Sequence, residues 1–259
     1  MAIPEDLIEL FDEMTEFGSR VQAKSSSKIS KEHHIEDNVY AVFYKVIAFA
    51  ITLHKATKSL CEAGWTHITP ILLRALLECT ANCLAVIYNE LPEYMAFKYL
   101  YHPYVKTLRD NKFSEDARKK AEYDIEQGIK NLKNPKAIEK AKQFVSEKRL
   151  EIFWFKPEED GVSAIINKYG NSELKFTYQS LSMSTHAGHF GLFLFKDNSD
   201  DIDINPCENP EKTEGAILFS CKYLLELIYI RNAYEKLGFD SEYKRLIEKV
   251  FKFKPEVRR

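Results

Sequence analysis

At 259 residues, with 45% hydrophobic and 29% charged side chains, the chain has the apolar content of a globular protein and not the composition of a disordered one. Its formal net charge of −2 supplies no global field that would draw it to nucleic acid or to a membrane surface. Nine glycines stand where average usage of about 7% would give roughly eighteen, and this shortage argues against hairpin-rich all-β folds, which need glycine at positive-φ turns.

The first helix is expected from Pro4 to about Ala23, with acidic residues in its opening turn. Leu7, Leu10, Phe11, Met14 and Phe17 form its apolar stripe. The run Ser25-Ser26-Ser27-Lys28 reads as a flexible connection. A long helix follows from about Ile35 to Glu62, turning Val39, Phe43, Val46, Ile47, Ala50 and Leu53 inward and stopping at Ala63-Gly64. Thr69 is the expected N-cap of the next helix and Pro70 its first residue. That helix runs to about Tyr88 with apolar residues on nearly every side, the mark of a central position in a bundle. Pro92 opens another helix, and Ser114 caps the one after it.

From Glu115 to Arg149 the chain is strongly charged with mixed signs, broken at Asn134-Pro135. Two exposed helices in a hairpin arm are expected there, laced by pairs such as Glu126–Lys130. The interleaved acidic residues make the lysines a solvated face rather than a nucleic-acid stripe. Glu151 to Phe155 reads as a strand or packed loop anchored by Trp154. Helices near Val162–Tyr169, Glu173–His189, Lys212–Leu237 and Ser241–Phe251 complete the chain. Between them, Asp197, Ser199, Asp201 and Glu208 match positions of a calcium-binding loop, but Ile202 stands where that loop requires glycine, so the match reads as chance.

The odd set Cys61, Cys79, Cys83, Cys207 and Cys221, without a targeting peptide at the N-terminus, points to reduced thiols and a cytoplasmic location. Lys45, Arg74, Glu78 and Asn82 interrupt the most apolar stretches, so no membrane span is expected.

Two patterns carry chemistry. Arg74, Glu78 and Asn82 are spaced four apart on an otherwise apolar helix and share one face. A guanidinium and a carboxylate there must meet a partner, water or a ligand, because an unpaired buried charge is costly. They form either an intrahelical ion pair that fixes a neighbouring helix or a pocket in which Arg74 holds an anion. The second pattern is Tyr178, Ser182 and His186, again four apart, with His189 one turn on. An imidazole that titrates near neutrality beside hydroxyls can exchange a proton with a substrate. His33, His34, His54 and His67 are weaker candidates. His186 and His189 could share a metal with Glu78 or His67, but no His-Glu-x-x-His and no pair of Glu-x-x-His motifs occurs, so neither metal nor cofactor is assigned. No Gly-x-Ser-x-Gly elbow and no phosphate-binding glycine loop is present.

At these residues the chain resembles an uncharacterised, mainly bacterial, helical domain-of-unknown-function family. Its members combine an Ala-Gly turn and an Arg-x-x-x-Glu helix with a later Tyr-x-x-Leu-Ser-x-x-x-His segment. Here these are Ala63-Gly64, Arg74 with Glu78, and Tyr178 through Leu181 and Ser182 to His186, preceded by Trp154-Phe155. The layout is similar to the HEPN class of RNA-cleaving and nucleotide-binding bundles of bacterial toxin and phage-defence systems. HEPN nucleases carry arginine shortly before histidine on one helix. Here Arg74 precedes Glu78 instead, so the resemblance implies a composite of Arg74 and His186 from facing helices.

The expectation is therefore one all-α domain over residues 1–259, a bundle of eight or nine helices. It comprises an N-terminal helix and linker (1–30), a charged helical arm (112–150) and a C-terminal part (151–259). Two functions fit. One is HEPN-like cleavage of RNA or a nucleotide, with His186 as acid or base, Arg74 as phosphate clamp, Glu78 positioning Arg74, Tyr178 and Ser182 orienting, and a homodimer allowed. The other is a non-catalytic binding or effector module in which the same residues form a structural polar network.

Overall fold

The computed structural model describes residues 3–26, 37–147, 154, 161–185 and 210–253. Among them the protein is all-α, with no strand. The helices are α1 (Glu5–Ser26), α2 (Asn38–Glu62), α3 (Thr69–Ile87), α4 (Pro92–Arg109), α5 (Glu115–Lys130), α6 (Pro135–Ser146), α7 (Gly161–Tyr169), α8 (Ser172–Thr185), α9 (Pro210–Glu235) and α10 (Asp240–Lys252), with a 3-10 turn at Thr66–Ile68. These are ten helices, one more than the upper end of the expected eight or nine, and each lies in a stretch read as helical from the sequence.

The chain forms two compact units. The first holds Met1–Ser26, Val46–Thr80 and Asn171–Arg259. In it α1 buries Leu7, Leu10, Phe11, Met14, Phe17 and Val21, each no more than 2% exposed. Burying a side chain of this size contributes about 1.5–3 kcal/mol. A Cβ on Gly18 would stand 3.2 Å from Ile51 Cγ1, so the missing side chain lets α1 approach α2 closely. Gly64, at φ 77°, ends α2 in the left-handed turn expected there, and Trp65 N donates to Leu60 O at 2.8 Å. Thr69 departs from its expected role. Its hydroxyl donates backward to Thr66 O at 2.7 Å and closes the 3-10 turn, instead of accepting from α3.

The helix surrounded on most sides in this unit is α9, which buries Ile217, Ser220, Cys221, Tyr223, Leu224, Leu225, Leu227, Ile228, Arg231 and Asn232. At its end Lys236 and Gly238 take φ of 53° and 79°, and the Asn232 side chain accepts from Phe239 N and donates to Asp240 Oδ1. Lys24 of α1 donates to Leu237 O in the same turn. Glu13 of α1 pairs with Arg245 and Lys249 of α10 at 2.5 and 2.6 Å. Burial works to raise the Glu13 carboxyl, but these two cations outweigh it and hold the group below its ordinary range.

The second unit holds Ser27–Lys45 and Ala81–Gly170. The charged region expected as an arm is the hairpin α5–α6, and its apolar side packs on α4. Phe97, Val105, Ile125, Leu132, Ala137, Ala141 and Phe144 make one buried cluster. Ser114 caps α5 as expected, accepting from Ala117 N at 3.2 Å. Asn134 caps α6 by accepting from Lys136 N at 2.9 Å, with Pro135 at the first position. Glu93 Oε2 accepts from Lys133 N and Asn134 N, tying the hairpin turn to the start of α4. At Gly128 a Cβ would lie 2.4 Å from the Tyr101 ring, and the Gly128 carbonyl accepts from Asn38 Nδ2 at 3.0 Å. Trp154 is buried, stands edge-on to Tyr99 with centroids 4.9 Å apart, and donates Nε1–H to Asn82 Oδ1 at 3.3 Å. Trp154 itself is packed as expected, while its neighbours 151–153 and Phe155, expected as a strand or packed loop, lie outside the described residues.

By length and composition, α2 and the stretch Thr66–Ile87 are apolar enough to cross a membrane, a test that buried core helices also meet. About half of the most apolar 18 residues of each, 56% and 50%, is buried inside the protein.

Candidate functional site

The polar group that the sequence singles out assembles in the first unit from α3 and α8. Arg74 and Glu78 are one helical turn apart on α3, and Arg74 Nε donates to Glu78 Oε1 at 3.0 Å. From α8, Tyr178 places its ring 5.4 Å from the guanidinium carbon, and its hydroxyl accepts from Arg74 Nη2 at 3.3 Å. Tyr178 is 9% exposed, whereas the Arg74 and Glu78 side chains keep 29% and 32% of their surface. A carboxylate thus fixes the guanidinium along its edge and a phenol fixes it from a second helix, while water still reaches it. Burial pulls against the Arg74 charge, but Tyr178 and Glu78 outweigh it and hold the group above its ordinary range. A guanidinium oriented in this way is suited to a planar, charge-assisted grip on a carboxylate or phosphate.

Ser182 lies half-buried one turn beyond Tyr178 on α8. His186 and His189 lie outside the described residues, as do His33, His34, Cys207 and the acidic stretch from Asp197 to Glu208. Asn82, expected on the face of Arg74 and Glu78, accepts from Trp154 in the second unit. His67 sits in the turn before α3 with its ring 5.4 Å from Trp65 and its Nδ1 buried without a partner. Among the described residues no three His, Cys, Asp or Glu side chains converge as metal ligands would. Cys61, Cys79, Cys83 and Cys221 are buried free thiols. Burial raises Cys61 to about 11 and Cys79 to about 12, so neither supplies a thiolate near neutrality.

Residues 22–203 match the model of a family described as a family of unknown function, DUF5677. The chain belongs to that family. Arg74, Glu78, Tyr178, Ser182 and His186 all fall within the DUF5677 span, while most of α1 and all of α9 and α10 fall outside it. No curated protein and no solved structure matches the chain.

The fold also holds two sealed polar groups, one at His54, a weaker candidate by sequence, and one at Arg231, which the sequence did not single out. His54 of α2 is 0% exposed, stacked on Phe11 at 3.6 Å, with Nδ1 2.6 Å from Ser220 Oγ and Nε2 3.4 Å from Phe11 O. A carbonyl only accepts, so Nε2 carries the proton and Nδ1 accepts from Ser220. Burial lowers this imidazole to about 3, and it stays neutral. Arg231 of α9 is also 0% exposed; its Nε donates to Glu235 Oε1 at 2.9 Å and its Nη1 to Gln22 Oε1 at 2.6 Å. Each left a signal. His54 follows Ile47 and Ala50 on the buried stripe of α2, and Arg231-x-x-x-Glu235 repeats the Arg74-x-x-x-Glu78 spacing.

Proposed function

We propose that this protein binds a phosphate-bearing ligand at Arg74 and acts on it as an HEPN-like protein that cleaves RNA or a nucleotide, of a bacterial toxin or phage-defence type, in the cytoplasm. The observation that carries this reading is Arg74 itself. Two neighbours set its orientation in advance, yet its side chain remains 29% open to solvent. Preorganised positive charge is the largest contribution a site makes to phosphoryl chemistry. In this reading Arg74 clamps the phosphate and Glu78 and Tyr178 position Arg74. Ser182 orients the ligand, and His186, four residues further along the sequence, moves the proton.

The test is incubation of the wild type, Arg74→Gln and His186→Ala with total RNA and with nucleotides, alongside a melting curve for each. Cleavage lost in both variants at unchanged melting temperature supports the proposal. A second reading, a structural network in a binding or effector module, draws on the bonds that Glu78 and Tyr178 both make to Arg74. It predicts the reverse: no cleavage by any form and a lowered melting temperature for Arg74→Gln.

A further inference from the structure

The side of α3 that carries Arg74 and Glu78 continues N-terminally into the 3-10 turn. His67, Ile71, Arg74 and Glu78 follow one another at four, three and four residues, the spacing of one helix face. None of these four is buried, whereas Thr66, Thr69, Leu73, Leu76, Leu77 and Thr80 on the other sides are. Ile71 is 44% exposed, a large apolar side chain left to water one turn from an oriented guanidinium.

The turn beyond it is fixed. The Thr66 and Thr213 hydroxyls are bonded at 2.9 Å, and the Thr69 hydroxyl donates to Thr66 O at 2.7 Å. The His67 ring packs on Trp65 with centroids 5.4 Å apart. Its Nδ1 is buried, so this half-buried residue can offer its ring to a ligand only along the other edge. At 1.5 Å of rise per residue, Ile71 and His67 stand about 5 and 10 Å from Arg74 along the axis. That is the reach of a nucleotide from its phosphate to the far edge of its base.

A lone exposed isoleucine is ordinary on a protein surface. Its position beside Arg74 separates the anions that this site could take. Inorganic phosphate would fill Arg74 and leave Ile71 in water. A sugar phosphate would set unpaired hydroxyls against the isoleucine, which is unfavourable. An acyl chain needs a row of apolar side chains, and the next turn presents an imidazole instead. A nucleobase has an apolar face for Ile71 and a polar edge for His67. We infer that Ile71 and His67 seat the base of a nucleotide whose phosphate is held by Arg74, which makes Ile71 the residue that selects nucleotides over simpler phosphates. The inference rests on the Arg74 reading and narrows its ligand class.

Titration calorimetry of the whole chain with AMP, ribose 5-phosphate and inorganic phosphate tests it, with a melting curve for each variant. AMP should bind at least about tenfold more tightly than ribose 5-phosphate. Ile71→Ser should remove most of that preference while leaving ribose 5-phosphate binding unchanged. Ile71→Phe, which keeps an apolar surface for the base, should bind AMP at least as tightly as the wild type, and His67→Ala should weaken AMP by less than Ile71→Ser does. Equal wild-type affinity for AMP and ribose 5-phosphate overturns the inference and leaves the Arg74 reading standing. So does undiminished AMP binding by Ile71→Ser. Absence of saturable binding of all three probes at millimolar concentration, or AMP binding that survives Arg74→Gln, overturns the Arg74 reading and this inference with it.

Discussion

Arg74 with Glu78 and Arg231 with Glu235 are the same four-residue pattern, drawn to nearly the same length, 3.0 and 2.9 Å between Nε and Oε1. They differ in what surrounds them. The first pair keeps 29% and 32% of its side-chain surface; the second keeps 0% and 3%, and adds a bond from Arg231 to Gln22 of α1. Helical spacing alone makes the ion pair in both places, and packing decides what the pair can do. Sealed in the core, Arg231 is bound into the joint between α1 and α9. Open at the surface, Arg74 can meet something that is not part of the chain. The same division separates His54, sealed against Phe11 and Ser220, from the half-buried Glu226.

Four measurements would break or sharpen this division. The largest effect is expected from Arg231→Ala, which takes the guanidinium away from the buried Glu235 carboxylate and from Gln22. It should cost about 3–5 kcal/mol in chemical denaturation, and Arg231→Met with Glu235→Leu should recover most of that. A loss below about 1 kcal/mol would mean the pair is not sealed.

Next comes acid. The folded His54 resists protonation down to about 3 while the unfolded residue takes a proton near 6.5. Its contribution is therefore complete above about 6.5 and is lost as the pH falls, amounting to about 2 kcal/mol by pH 5. With melting followed against pH, the stability of the wild type relative to His54→Gln should fall by that amount between pH 6.5 and 5.

Glu226 has the opposite sign. Its folded carboxyl titrates at about 6 against an ordinary 4.5, so the stability it contributes is present below 4.5 and is lost as the pH rises through 6. The effect is about 1–2 kcal/mol, and Glu226→Gln should leave the protein more stable than wild type at pH 7.5. Between pH 4.5 and 6 the two groups oppose each other, so the wild-type curve should be flatter than that of either variant.

The smallest stability effect belongs to the open pair. Arg74→Gln should change the unfolding free energy by less than about 1 kcal/mol while removing phosphate-ligand binding. A large destabilisation there would place Arg74 with Arg231.

Much of the fold was legible because its signals are local. Gly64, Pro92, Ser114 and Asn134-Pro135 mark helix ends through backbone conformation and capping chemistry, and all four stand where expected. The spacing of Arg74 and Glu78, and of Tyr178 and Ser182, likewise placed them on single helix faces. What brings α3 to α8, so that Tyr178 meets Arg74, is tertiary packing, which no periodicity encodes. For the same reason Arg231 passed as an ordinary helix residue and His54 ranked only as a weaker candidate. Their partners Gln22, Ser220 and Phe11 are far away in sequence. The α5–α6 hairpin was read from its charges; its burial depends on Ala121, Ala137 and Ala141, whose small side chains leave little trace in a charge-rich stretch.

One consequence concerns how the protein can be taken apart. Both compact units are discontinuous in the chain: the first is assembled from three stretches and the second from two. No single cut releases either one whole. The family span, 22–203, cuts through the first unit as well. It keeps His54, Arg74 and Tyr178 but leaves behind Phe11, Ser220 and Arg231. A fragment expressed to those borders would carry His54, Arg74 and Tyr178 without the helices that seal the core around them. The boundary of likeness among relatives is therefore not the boundary of what folds.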